Sequence, residues 1–126
     1  MCNRLVILGG GESGVGAAVL AKKEGFDVFL SDSGFIQPGA KSLLNEYGVA
    51  FEEGMHSRSL ILTADQVVKS PGIPDSVPIV EDLNNAGIPV ISEIEFAGRY
   101  TQARKICVTG SNGKTTTASL IYYLLR

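Results

Sequence analysis

The chain reads as an α/β protein with a doubly wound parallel sheet, and three observations point there. Apolar runs such as Leu5-Val6-Ile7-Leu8 are continuous rather than alternating, the pattern of strands buried on both faces. Helix-forming segments closed by glycine separate these runs, so strand and helix alternate with short links. The first junction is Gly9-Gly10-Gly11-Glu12-Ser13-Gly14-Val15-Gly16, a glycine turn between a strand and a helix. A turn of this kind leaves backbone N–H groups at the positive end of the helix dipole, where an anion can sit.

Taken in order, Arg4 to Leu8 is the first strand, and Ala17 to Glu24 is the body of the first helix, stopped by Gly25. Ala17, Ala18 and Ala21 are small enough to let that helix approach the sheet closely. Val28-Phe29-Leu30 is the second strand, with Asp32-Ser33 at its carboxyl end, the edge where open α/β sheets bind ligands. Phe35 to Gly39 is a loop, Ala40 to Tyr47 a short helix closed by Gly48, and Val49 to Glu52 the third strand. A helical turn around Leu60-Ile61-Leu62 leads to the fourth strand, Gln66 to Lys69. Ser70-Pro71-Gly72-Ile73-Pro74 admits neither helix nor ladder and gives a rigid turn at the same edge. Val77 to Ala86 is helical, Pro89-Val90-Ile91 is the fifth strand, and Ser92 with Glu95 forms a capping box for a helix to about Tyr100. The unit is Rossmann-like and complete by residue 100, with right-handed crossovers expected.

Composition narrows the function classes. With 126 residues, 44% hydrophobic and 19% charged, the chain can bury one core of moderate size. A net charge of -2 offers no basic surface for nucleic acid and no polybasic membrane anchor. No apolar run approaches the roughly 20 residues that span a bilayer. Met1-Cys2-Asn3-Arg4 runs straight into a strand without the pattern of a secretory signal. The expectation is a soluble cytoplasmic chain with neither nucleic acid nor membrane as partner. Cys2 and Cys107 lack metal-ligand spacing, and no disulfide is expected of them.

Gly9, Gly11 and Gly14 satisfy the G-x-G-x-x-G spacing, and Asp32 lies about twenty residues on, where an acid can take a ribose hydroxyl. That fingerprint is shared by dinucleotide enzymes and other nucleotide binders, and alone it slightly favours NAD. A second phosphate loop follows the polar link Thr101 to Arg104. After the strand Lys105-Ile106-Cys107-Val108-Thr109 come Gly110-Ser111-Asn112-Gly113-Lys114-Thr115-Thr116 and a helix with Leu120, Ile121, Leu124 and Leu125 on one stripe. Backbone amides there wrap phosphates, Lys114 neutralises β and γ oxygens, and the Thr115 hydroxyl suits Mg²⁺. The strict P-loop pattern fails at its first glycine, where Val108 stands. Because the sequence stops at Arg126, just after the opening of this second unit, the reading is of a fragment whose ATPase domain is truncated.

Thr109 to Thr116 resembles the ATP loop of the Mur ligases, the amide ligases of peptidoglycan precursor synthesis. Within that family, Val67-Val68-Lys69-Ser70-Pro71-Gly72-Ile73-Pro74 and Ile91-Ser92-Glu93-Ile94-Glu95 resemble the branch that adds D-glutamate to UDP-N-acetylmuramoyl-L-alanine. The L-alanine-adding branch is the nearest competitor. The resemblance implies that Gly11, Glu12, Ser13 and Gly14 cradle the diphosphate of a UDP-sugar rather than NAD. It implies that Asp32 and Ser33 lie beside the uridine, and that Ser70, Pro71 and Gly72 wall the uracil. Where some members place an arginine against the uracil this chain has Gly34, which leaves that contact to another residue such as Phe35. For ATP, it implies Gly110, Ser111, Asn112, Gly113, Lys114, Thr115 and Thr116, with Lys114 catalytic and Thr115 on the metal. The implied whole enzyme is a bacterial cytoplasmic monomer using ATP and Mg²⁺ to join D-glutamate to UDP-N-acetylmuramoyl-L-alanine through an acyl phosphate. The present chain is expected to be inactive.

The remaining residues read blandly. His56 is taken as a solvated loop residue, Glu93 and Glu95 as structural groups facing different sides, and Tyr122 and Tyr123 as core of a unit that continues. Two rivals from other classes stay open. An NAD-dependent oxidoreductase domain would have no use for the second loop, and a nucleotide-sensing module would need a partner surface.

Overall fold

The computed structural model describes residues 3–100. The expected link 101–104, the expected strand 105–109, the residues 110–116 expected to hold ATP and metal, the expected final helix with Tyr122 and Tyr123, and Cys2 and Cys107 all lie outside the described residues.

The strands are β1 (Arg4–Leu8), β2 (Asp27–Asp32), β3 (Ala50–Glu53), β4 (Gln66–Lys69) and β5 (Val90–Ser92). The helices are α1 (Glu12–Lys23), α2 (Pro38–Glu46), α3 (Arg58–Ile61), α4 (Pro78–Asn85) and α5 (Glu93–Gly98). The five strands form one parallel sheet in the order β3-β2-β1-β4-β5. β1 is central, in register with Val28 through Leu5 on one side and with Gln66 through the same residue on the other.

The continuous apolar runs are explained by the two layers they serve. Leu5, Ile7, Leu30 and Val68 pack with Ala17, Ala18, Leu44 and Phe96 of α1, α2 and α5. Val6, Leu8, Phe29 and Val67 face the other way, onto Ile61, Ile79, Val80 and Leu83 of α3 and α4. Leu5, Val6, Ile7 and Leu8 are all fully buried, each contributing about 1.5–3 kcal/mol of transfer free energy. A polar residue at any of these four positions would therefore be buried on one face or the other.

Most boundaries differ from the sequence expectation by a residue or two, and the starts of α1 and α2 differ for a local reason. Helix α1 begins at Glu12, not Ala17, because the chain must turn at once for Gly14 to pack on Gly9. Helix α2 begins at Pro38, where the ring's fixed φ favours a first helical residue although proline reads as a breaker in sequence. The last helix ends at Gly98, with Ser92 Oγ accepting the Glu95 N–H at 3.1 Å as a cap.

Candidate functional site

In a sheet of this order the chain leaves β1 toward β2 on one side and returns to β4 on the other. Loops after β1 and β4 diverge there, and the crevice between them is where doubly wound sheets take ligands. Those loops are Gly9–Gly11 and Ser70–Pro74, so topology brings together two segments about sixty residues apart that the sequence had singled out separately.

On the β1 side each glycine has its own task. Gly9 has φ +109°, a left-handed conformation that favours glycine, and donates its N–H to Ser31 O at 2.9 Å. A Cβ on Gly14 would stand 2.0 Å from Gly9 O, so only glycine lets α1 come this close. A Cβ on Gly10 would stand 2.9 Å from Ile36 Cγ1, whereas at Gly11 it would meet nothing within 4 Å. Gly11 caps α1 and has no side chain to satisfy the first-turn amides, which leaves the N–H groups of Glu12, Ser13 and Gly14 for an anion. Of exposed Glu12 only the backbone suits a phosphate, since its carboxylate has the same sign.

Asp32 ties this turn to the next loop. Its Oδ2 accepts from Gly10 N at 2.7 Å and its Oδ1 from Gly34 N at 2.8 Å. Each oxygen keeps a further lone pair, so the carboxylate can still accept from a hydroxyl. Ser33 beside it is exposed. Gly34 O accepts from Gly54 N at 2.9 Å, and the adjoining Phe35 ring is 66% exposed with Lys41 Nζ 5.0 Å from its centroid.

On the β4 side, Ser70 N donates to Leu8 O at 2.9 Å and Ile73 N to Ser70 O at 3.1 Å. The Ser70 side chain leans on the glycine turn, since a Cβ on Gly9 would lie 2.8 Å from Ser70 Cβ. Pro71 and Gly72 are exposed at the rim. Beyond them a cavity of about 430 Å³ opens toward β5, lined by Lys69, Pro71, Asp75, Asn84, Val90 and Ser92 among others. It takes in one wall of the crevice but not the glycine turn.

The model of the N-terminal domain of Mur ligases of the MurD-like type matches residues 3–92. The chain belongs to this family. It is 60% identical over 123 residues to a UDP-N-acetylmuramoylalanine–D-glutamate ligase of Bacteroides fragilis, covering 98% of this chain and 28% of that protein. The enzyme of the same name from Porphyromonas gingivalis is 54% identical over 121 residues, covering 96% and 27%. The chain thus spans little more than a quarter of the length of these curated relatives. Among solved structures, a murein peptide ligase of Psychrobacter arcticus superposes with a TM-score of 0.73 at 31% identity, covering 90% of this chain and 24% of that one. A UDP-N-acetylmuramate-alanine ligase of Thermotoga maritima shares the fold, with a TM-score of 0.68 at 22% identity over 92% of this chain and 27% of its own.

Two features of this Mur-family chain escaped the sequence reading. His56 is not a solvated loop residue. Its Nδ1 lies 2.7 Å from the hydroxyl of fully buried Ser31, which also lies 2.8 Å from Glu52 Oε1. Ser31 has one proton, and the Glu52 carboxylate has none to give, so Ser31 donates to Glu52 and His56 Nδ1–H donates to Ser31. Ser57 completes the network, donating from N at 2.6 Å and from Oγ at 2.5 Å to Glu52. Burial holds the His56 imidazole below its usual range, with Asp32 and Glu52 pulling the other way. Burial would raise Glu52, but hydrogen bonds from Ser57 and Ser31 and the charge on His56 outweigh it and hold the carboxyl low. The signal missed was the i, i+5 pairing of an acid and a serine around one loop.

The second feature is Lys69, whose side chain is only 15% exposed and whose ammonium lies under the Ser70–Pro74 turn. Glu93 and Glu95 do face different sides, the first buried and the second exposed. Among the described residues no group of three or more His, Cys, Asp or Glu side chains is arranged to hold a metal ion, and no helix is long and apolar enough to cross a membrane.

Proposed function

We propose that the chain is the N-terminal part of an ATP-dependent ligase that adds D-glutamate to UDP-N-acetylmuramoyl-L-alanine in bacterial peptidoglycan synthesis. Residues 1–100 are the UDP-sugar domain, 101–104 a link, and 105–126 the opening of the ATP-binding domain. The observation that carries this reading is the match across the chain to D-glutamate ligases, joined to a crevice that has phosphate donors on one wall and a proline turn on the other.

In this reading the diphosphate sits on the amides of Glu12, Ser13 and Gly14, with Gly11 leaving room for it. Asp32 and Ser33 flank the uridine, and Ser70, Pro71 and Gly72 wall the base. ATP supplies the driving force, because a carboxylate alone is too poor an electrophile. Its γ-phosphoryl passes to the carboxylate of the L-alanine unit, releasing ADP. The amine of D-glutamate then attacks the acyl carbon, loses a proton and expels inorganic phosphate. For this step Lys114 and the Gly110–Thr116 loop hold the phosphates, Thr115 serves Mg²⁺, and catalysis is mainly positioning and charge neutralisation. The whole enzyme is read as a cytoplasmic monomer.

Titration of the chain with UDP, followed by amide chemical shifts, tests the first half of this reading. Shifts are expected at Glu12, Ser13, Asp32 and Gly72, and NAD is expected to give none. Saturable NAD binding without UDP binding would overturn the assignment in favour of an oxidoreductase domain. ADP release by this chain with ATP and both substrates would overturn the expectation that it is inactive alone.

A further inference from the structure

Lys69 ends β4 between the two buried valines, Val67 and Val68, and a turn that carries two prolines. A lysine this buried has lost most of its hydration, and only oxygen partners offset that loss. It has three: Ile73 O at 2.5 Å, Ser70 O at 3.5 Å and Asp75 Oδ1 at 3.2 Å. Asp75 is 84% exposed, so that ion pair is weak, and the two backbone carbonyls are the partners that matter.

Both carbonyls belong to the Ser70–Pro74 turn. Pro71 and Pro74 have no N–H, and Gly72 N reaches only Ser70 Oγ, at 3.4 Å, so the bond from Ile73 N to Ser70 O at 3.1 Å is the main one within the turn. It is held from below by the ammonium, from the side by its contact with Gly9, and at its first residue by the bond from Ser70 N to Leu8 O. A charge-assisted bond to a carbonyl is stronger and more directional than a neutral one. Ser70 is fixed to β1, so the position of the Ile73 end of the turn, and with it the set of the Pro71-Gly72 wall between them, depends on where Lys69 puts its ammonium.

We propose that Lys69 is a positioning residue that sets the Ser70-Pro71-Gly72 wall for the nucleoside part of a uridine diphosphate ligand, without touching the ligand itself. This rests on the reading above, in which the crevice takes UDP. The test compares UDP binding by the full chain and by Lys69→Met and Lys69→Arg, using amide shifts for affinity and location and thermal unfolding for the fold. Lys69→Met keeps the apolar stem and removes the tie. It is expected to weaken UDP by about tenfold or more, the worth of one charged hydrogen bond. UDP-induced shifts should be lost at Gly72 and Ile73 and kept at Glu12 and Ser13, while Lys69→Arg restores affinity to within about threefold. If Lys69→Met does not fold, Lys69→Gln takes its place with the same expected loss. Unchanged affinity in the folded variant, or an equal loss of shifts on both walls, overturns the inference. A parent chain that gives no UDP shifts overturns the reading beneath it instead.

Discussion

The β1 wall of the crevice is made of missing side chains, and the β4 wall is braced by one long side chain. Gly9, Gly10 and Gly14 each occupy a place where an added Cβ would come within 3 Å of another atom. On the other side Lys69 reaches from the end of a strand to the carbonyls of a turn in which two prolines lack a donor. The first wall is rigid because Gly14 packs on the Gly9 backbone while the Ser70 and Ile36 side chains close on Gly9 and Gly10, and the second because a buried ammonium holds a carbonyl of the turn. The first is thus broken by adding atoms and the second by removing them.

The largest expected effect is on the first wall. Gly14→Ala sets a methyl 2.0 Å from the backbone oxygen of Gly9, which cannot swing aside as a side chain can, and should cost about 3 kcal/mol or more by chemical denaturation. A loss below about 1 kcal/mol would mean that α1 can slide away and that the wall is softer than drawn. Next comes the tie to the neighbouring loop. Asp32→Asn places an amide where two backbone N–H groups, Gly10 and Gly34, each need an acceptor, and should cost about 2 kcal/mol.

A smaller effect is a dependence on pH. Because burial lowers the His56 pKa, the unfolded chain takes up a proton where the folded chain does not. Stability fully present above about pH 6.5, the ordinary histidine value, is then lost as pH falls through the folded value. Glu52, whose folded pKa is also depressed, adds a further loss at lower pH, in and below the carboxylate range. Thermal unfolding across this range should show both, and His56→Gln should remove the step nearer neutrality while leaving the acidic one. The smallest effect on stability sharpens the contrast within the glycine motif. Gly11→Ala meets open space at an ordinary φ of -74° and should change stability by no more than about 0.5 kcal/mol. It should nonetheless weaken UDP, if Gly11 leaves room for the diphosphate.

The Ser31, Glu52, His56 and Ser57 network shows where reading by residue type runs out. A lone histidine after Gly54-Met55 in a loop resembles a solvated one, because nothing nearby in sequence marks the strand neighbour that buries it. Ser31 and Glu52 meet only because β2 and β3 are paired with those two residues in register. Lys69 escaped for a related reason. At the end of a strand a lysine is ordinarily exposed, and its burial depends on a turn folding back over it.

Strand positions, the alternation with helices and the glycine turn were determined by the sequence alone, since local periodicity and backbone freedom act over a few residues. The same is true of the resemblance to Mur ligases, because Ser70 to Pro74 and Thr109 to Thr116 are distinctive in themselves. Tertiary structure alone decided the strand order that makes β1 and β4 neighbours. It also decided which glycine serves packing and which serves space, and which charged side chains are buried. Those are questions of distance between residues far apart in the chain, and only the closed sheet sets that distance.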